Sequence, residues 1–147
     1  MSCIRFNTPA QRAAMHERGV LAAEDAAVLH LAPPVTPSKI ARLRVLAESP
    51  TTGIRQSVAS NRHAPADLLE TLAGDRDPAV RAEVARNETT PVGLLQRLAG
   101  DADARVRCWA VLNPGLPDAD VARLAEDRDD QVRRLAEWRR TAALQPS

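Results

Sequence analysis

Arginine recurs every 26 residues in the C-terminal two thirds of the chain, a regular spacing that could hold successive phosphates of a nucleic acid. The members are Arg55, Arg81, Arg107 and Arg133. An alternative interpretation pairs each arginine with a carboxylate, because a helix-capping residue precedes it by about one turn and an aspartate lies near the junctions between units. Charges paired at a constant repeat position usually serve packing. We therefore interpret this arginine ladder as structural and keep nucleic-acid binding, with Arg139 and Arg140 added, as the alternative.

Pairs of the form Asp-x-Asp recur with the same period, and their carboxylate oxygens are ligands that hard cations accept. The pairs are Asp75 with Asp77, Asp101 with Asp103, and Asp127 with Asp129. Each pair lies where one helix should end and the next begin, and no glycine-containing twelve-residue calcium loop surrounds it. Helix capping explains the pairs, so we predict no metal site and no cofactor.

The residues that serve as catalytic nucleophiles and bases do not form a recognisable set. His16, His30 and His63 show no Ser/His/Asp or Cys/His spacing, and no glycine-rich phosphate loop occurs. Two cysteines, Cys3 and Cys108, are too few for a disulfide framework or a zinc site. We expect a protein that is not an enzyme. With no signal-peptide pattern and no membrane-spanning run, we also expect it in the cytoplasm.

All of these positions belong to a 26-residue repeat, most clearly in residues 51–76, 77–102 and 103–128. A capping residue, such as Asp77, opens a first short helix whose apolar residues form one buried stripe. Asparagine ends this helix, because it tolerates the left-handed conformation and can bond its own backbone. The asparagines are Asn61, Asn87 and Asn113.

A second helix opens at a proline, carries closely spaced leucines and stops at a glycine. The prolines are Pro65, Pro91 and Pro117, and the glycines are Gly74 and Gly100. In the third unit Glu126 replaces the glycine. This replacement predicts a different and weaker helix end.

Neither helix is long enough to be stable alone, so the units must stack on one another. The sequence predicts an all-α, right-handed solenoid of about four to five two-helix repeats. Hydrophobic residues make up 44% of the 147 residues but aromatic residues only 2%, so aliphatic side chains must form the core. The expected parts are an N-terminal helical cap at 1–24, units near 25–50, 51–76, 77–102, 103–128 and 129–140, and a flexible tail at 141–147.

The strings IRQSVASNRHAPADLLETLAGD, VRAEVARNETTPVGLLQRLAGD and VRCWAVLNPGLPDADVARLAED resemble the leucine-rich repeat variant, or LRV, family of bacterial repeats. The resemblance covers about residues 51–138. It implies a right-handed superhelix of paired short helices, one of each pair often 3₁₀, without β-strands. Weaker similarity to HEAT repeats lies in Asp77, Pro78, Val80 and Arg81. A founding LRV protein has an iron–sulfur cluster in a cysteine-rich N-terminal module, but only Cys3 lies in that region here, so the cluster is not expected.

Function should lie where the repeats differ, because the constant positions serve the fold. Two positions of the first helix, three residues apart, vary most. They hold Ser57, Glu83, Trp109 and Leu135, and Ser60, Arg86, Leu112 and Trp138. The two tryptophans form either a docking patch or a hydrophobic end cap. We predict a non-catalytic protein–protein interaction module that presents Glu83, Arg86, Trp109, Leu112 and Trp138 to an unidentified protein partner.

The charge balance argues against a dedicated nucleic-acid or anionic-membrane binder. Twenty basic residues against nineteen acidic ones give a net charge of +1. Residues 101–130 hold eight acids and four arginines, whereas residues 131–147 hold one acid and four arginines. This asymmetry is compatible with a homodimer through the C-terminal repeat. A self-assembling structural protein is the third class that the sequence allows.

Overall fold

The computed structural model describes residues 35–142. The predicted N-terminal cap at 1–24, the start of the unit at 25–50 and the last five residues of the predicted tail lie outside the described residues. Residues 36–142 belong to one unit of the structure.

Residues 35–142 contain eight α-helices and no β-strand. The helices are α1 (Pro37–Ala47), α2 (Thr52–Ala59), α3 (Ala66–Leu72), α4 (Pro78–Arg86), α5 (Val92–Leu98), α6 (Ala104–Leu112), α7 (Asp118–Leu124) and α8 (Asp130–Ala142). First helices (α2, α4, α6, α8) alternate with second helices (α1, α3, α5, α7), which confirms the all-α repeat solenoid. Both helices of each described pair are α-helical, unlike the 3₁₀ helix that the family resemblance implies. Helix α8 extends two residues into the predicted tail.

The first helices begin largely as the repeat predicts. Asp77 Oδ1 accepts a hydrogen bond from the backbone N–H of Ala79 at 2.9 Å, and Asp103 Oδ1 accepts one from Arg105 at 2.8 Å. These bonds satisfy donors that the first turn of a helix leaves open. Thr51 occupies the same position before α2 but makes no side-chain capping bond.

The predicted left-handed asparagine at the end of each first helix is wrong for α4 and α6. Asn87 has φ −67° and ψ 121°, and Asn113 has φ −73° and ψ 121°, both extended. Their side chains still bond the local backbone, because Asn87 Oδ1 accepts from the N–H of Thr89 at 3.0 Å and Asn113 Oδ1 from that of Gly115 at 2.9 Å. The helix therefore ends in an Asx turn with an extended asparagine.

The weaker end predicted for α7 at Glu126 is also wrong. The N–H groups of Gly74, Gly100 and Glu126 donate to the carbonyl three residues earlier at 3.1, 3.0 and 3.2 Å. Helices α3, α5 and α7 have the same length. Neither glycine has a φ in the left-handed region, so glutamate can replace them without backbone strain.

The hydrophobic core runs between the two sets of helices. Each first helix packs on the next one, and each second helix packs on the first helix that follows it. Leu72, Leu98 and Leu124 lie at equivalent positions and are buried, as the period predicts. Ile54 departs from its repeat position, because it is 37% exposed whereas Val80, at the equivalent position of α4, is fully buried.

Candidate functional site

The arginine ladder joins successive junctions between units. Arg107 shows the arrangement most fully: its Nε and Nη2 donate to the two carboxylate oxygens of Asp127, both at 2.8 Å. Its Nη1 donates to the carbonyls of Asp101 at 2.8 Å and Ala102 at 3.0 Å, at the preceding junction. Arg55 and Arg81 make the same two-oxygen contact with Asp75 and Asp101. Arg55, Arg81 and Arg107 therefore each contact the junctions on both sides of their helix.

These ion pairs are shielded from solvent and shift the pKa of the aspartates. The side chains of Arg107 and Asp127 are only 5% and 9% exposed. Hydrogen bonds from Arg55 are the main reason that the pKa of Asp75 lies below its ordinary value. For Asp127, burial raises the pKa, but hydrogen bonds from Arg107 and the Asp129 N–H outweigh it, so the pKa is lowered. Asp101 behaves in the same way.

The two aspartates of each Asp-x-Asp pair have different roles. The first aspartate of a pair binds the ladder arginine and accepts the backbone N–H of the second, as Asp75 does from Asp77 at 2.8 Å. The second aspartate caps the next first helix. Both carboxylates are thus engaged by the chain itself. No group of three or more His, Cys, Asp or Glu residues within 35–142 is placed to hold a metal ion.

Asn87 and Asn113, which we call the asparagine ladder, bond each unit to the one before it. The interpretation of these asparagines as helix caps missed this contact. Asn87 Nδ2 donates to the carbonyls of Ala59 at 2.7 Å and Asn61 at 3.1 Å. One period later, Asn113 Nδ2 donates to the carbonyls of Ala85 at 2.8 Å and Asn87 at 3.0 Å. Both side chains are buried. The recurrence of asparagine at one position was the only signal for this role in the sequence.

An arginine takes over this position in α8. Arg139 Nη1 donates to the carbonyls of Val111 and Asn113, both at 2.6 Å, and Nη2 donates to that of Leu116 at 2.7 Å. Arg133 bonds the carbonyl of Asp127 at 2.8 Å and Asp130 within its own helix. Of the six arginines named for nucleic-acid binding, five thus bond groups of their own chain and Arg140 is exposed.

The two variable repeat positions form one surface along the first helices, which we call the variable strip. It comprises Ser57, Ser60, Glu83, Arg86, Trp109, Leu112, Leu135 and Trp138. All of these residues are exposed or half-buried. Trp109 and Leu112 are each 37% exposed and Trp138 is 61% exposed. The positions that vary in sequence are therefore the positions open to solvent.

Arg86 lies at the centre of this strip. Its guanidinium carbon is 5.1 Å from the centroid of the Trp109 ring, a cation–π distance. Its Nη1 is 3.6 Å from Glu83 Oε2, close enough for an ion pair but not for a good hydrogen bond. That Glu83 oxygen is buried and has no hydrogen-bond partner among the described residues. Three predicted site residues thus meet, Glu83 and Arg86 within one helix and Arg86 and Trp109 across adjacent units.

Two open clefts border Arg86 and share Glu88 as a common wall. The larger, of about 570 Å³, is polar and is lined by Ser60, Arg62 and Glu83 among others. The smaller, of about 210 Å³, lies against Trp109, Leu112 and Pro114. Trp138 lines neither of these clefts.

The central unit is the part of the chain that a known family matches. A model of the leucine rich repeat variant family, LRV, matches residues 78–103, one full period. Residues 78–103 are therefore similar to an LRV repeat. The matched unit contains Glu83, Arg86 and the ladder residues Arg81 and Asn87. No curated protein and no solved structure matches the chain.

One buried aspartate departs from the pattern of the 26-residue repeat. Asp120 occupies the position held by Leu68 and Leu94 in the preceding units and is 7% exposed. It accepts one hydrogen bond from Gln96 Nε2 at 2.7 Å and forms an ion pair with Arg123 Nη2 at 3.0 Å. The sequence did not indicate this site, because the period predicts an apolar residue there.

Cys108, in the LRV-like third unit, is buried. Burial raises the pKa of its thiol, which disfavours the reactive thiolate. Cys3, His16 and His30 lie outside the described residues. None of the helices in the described range has both the length and the apolar character needed to cross a bilayer.

Proposed function

We propose that this helical-repeat scaffold is a non-catalytic adaptor that binds a protein partner on its variable strip. The observation that carries the proposal is the placement of Arg86, stacked on Trp109 between two clefts. Arginine and tryptophan are enriched among the residues that dominate binding energy at protein interfaces. The four central contacts are Glu83, Arg86, Trp109 and Leu112, and Trp138 extends the surface on α8.

Charge also favours a protein partner over nucleic acid. The ladder arginines Arg55, Arg81 and Arg107 already bind aspartates, which removes the regular row of donors that a phosphate backbone would need. On the variable strip, Arg86 shares its clefts with Glu83 and Glu88, so the local field is mixed rather than positive.

Affinity purification from the native cell tests the proposal. Baits would be the wild-type chain, Trp109→Ala and Leu112→Ala. Val92→Ala is the matched control, because Val92 is 49% exposed but lies on α5, outside the strip. We expect a co-purifying protein that both strip variants lose and the control retains, with all variants melting at nearly the same temperature. Equal retention by every bait would refute a docking role for the strip.

The homodimer through the C-terminal repeat stays a prediction, and light scattering checks it. A monomeric mass at micromolar concentration is the result expected if the strip is left free for a different protein. A concentration-dependent mass that falls to the monomer in Trp138→Ala would instead favour self-assembly over an adaptor.

A further inference from the structure

Arg86 differs from the ladder arginines in what its guanidinium binds. A guanidinium carries five N–H donors. Arg107 donates to four acceptors of its own chain, whereas Arg86 makes no hydrogen bond to any described residue. Arg86 is nevertheless held in place, by the Trp109 ring on one side and the Glu83 carboxylate on another. A positioned guanidinium with open donors favours a planar, two-oxygen acceptor.

An apolar surface continues directly from this guanidinium. Trp109 and Leu112 are both partly exposed, and with Pro114 they line the smaller cleft, whose 210 Å³ is on the scale of one large side chain. The cleft also borders Arg86. A ligand that uses both features must therefore place an anion and an apolar group side by side.

We propose that the variable strip recognises an acidic–apolar peptide segment of the partner, an Asp or Glu next to a large aliphatic or aromatic residue. The carboxylate accepts hydrogen bonds from Arg86, and the apolar side chain enters the cleft against Trp109 and Leu112. This inference rests on the proposed function, because it specifies the chemistry of the protein that docks there.

The neighbouring charges select against other ligands. A polyanion such as nucleic acid would bring its phosphates against Glu88, which lines both clefts, whereas a single carboxylate can be directed at Arg86 alone. A basic segment could pair with the exposed Glu88, but in either cleft it would also lie against the guanidinium of Arg86, which is 58% exposed, whereas Glu83 Oε2 is buried. A single acidic group next to an apolar one can bind Arg86 without bringing further negative charge against Glu88 or positive charge against Arg86.

Selection of a random 12-residue peptide library against the full chain tests the inference. We expect enriched peptides with Asp or Glu within a few positions of Leu, Phe or Trp. Binding of a selected peptide should weaken about tenfold for Arg86→Ala, as for a moderate interface hot spot. Replacing the acidic residue of the peptide by its amide should lower the affinity for the wild-type chain about as much, and should change the affinity for Arg86→Ala little. Arg76→Ala is the control, because Arg76 is exposed and outside the strip. Circular dichroism verifies that each variant is folded.

Other outcomes would overturn the inference in distinguishable ways. Lys- or Arg-rich peptides that require Trp109 but not Arg86 would refute the acidic ligand and leave the proposed function standing. Peptides that depend on neither residue, or no enrichment at all, would refute both. Tight binding of single-stranded DNA at physiological salt, lost in Arg86→Ala, would replace the peptide ligand with a nucleic acid.

Discussion

Arg107 and Arg86 lie on adjacent first helices but at two different kinds of repeat position. Arg107, at a constant repeat position, is nearly buried and bonds two carboxylate oxygens and two carbonyls. Arg86, at a variable position, is more than half exposed; it stacks on an aromatic ring and forms an ion pair at 3.6 Å with one carboxylate oxygen, without a hydrogen bond. The same residue type stabilises the fold at the constant position and keeps its donors open at the variable one. We propose that the variable position serves a binding partner.

The largest expected effect comes from breaking one ladder pair. Asp127→Ala leaves the charge of Arg107 buried without a carboxylate, and it should lower the free energy of unfolding by about 3–5 kcal/mol. Urea denaturation measures the loss. Glu137→Ala, an exposed acid on α8, is the control and should change little. A loss below about 1 kcal/mol in Asp127→Ala would show that the ladder does not hold the junctions.

The asparagine ladder can be separated from simple helix capping by Asn113→Asp. The aspartate keeps an oxygen for the Gly115 N–H but loses the donor that serves the carbonyls of Ala85 and Asn87. We expect a loss of about 2 kcal/mol in urea denaturation, because two buried carbonyls then face a carboxylate. If capping were the whole role, the variant would be as stable as the wild type.

Acid should weaken the constant positions specifically. The pKa values of Asp75, Asp101 and Asp127 are lower in the folded chain than in the unfolded chain, so the folded state binds fewer protons. Their contribution is complete above the unfolded pKa of about 4 and is lost as the pH falls through the folded values. Stability measured from pH 6 to pH 2 should therefore drop below about pH 4. Asp127→Ala should show a shallower drop, and an identical pH profile would contradict the assignment.

Asp120 tests whether a departure from the repeat costs stability. Asp120→Leu restores the leucine of the other units and removes a buried carboxylate, whose partners Gln96 and Arg123 are exposed and can turn to solvent. We expect a gain of about 1 kcal/mol, because apolar replacements of buried ionic groups are often neutral or stabilising. A loss of similar size would assign a structural requirement to the carboxylate.

The sequence predicted the contacts that depend on the period. A constant spacing brings Arg55, Arg81 and Arg107 to equivalent places, so aspartates at a fixed distance along the chain are identifiable partners. The bonds of Asn87 and Asn113 to the preceding unit were not predictable in this way. Their acceptors are backbone carbonyls, which every residue carries, so no residue type marks them.

The sequence predicted which residues belong to the candidate site but not how they contact one another. Arg86 and Trp109 were assigned to the two variable positions of the first helices, but their stacking depends on how adjacent units are rotated, which the period does not specify. Asp120 was missed because its burial is a property of the position and not of the residue type. The error at Glu126 arose because the glycines were taken as a conformational requirement, which their backbone angles do not support.

The most direct test of the account compares two alanine variants of one residue type by urea denaturation. Arg107→Ala should lower the free energy of unfolding by about 3 kcal/mol, because it leaves Asp127 buried without its partner. Arg86→Ala should lower it by less than about 1 kcal/mol, the scale of an exposed ion pair and cation–π contact. Equal losses, or a larger loss for Arg86→Ala, would contradict the division between positions that hold the solenoid and positions left for a partner.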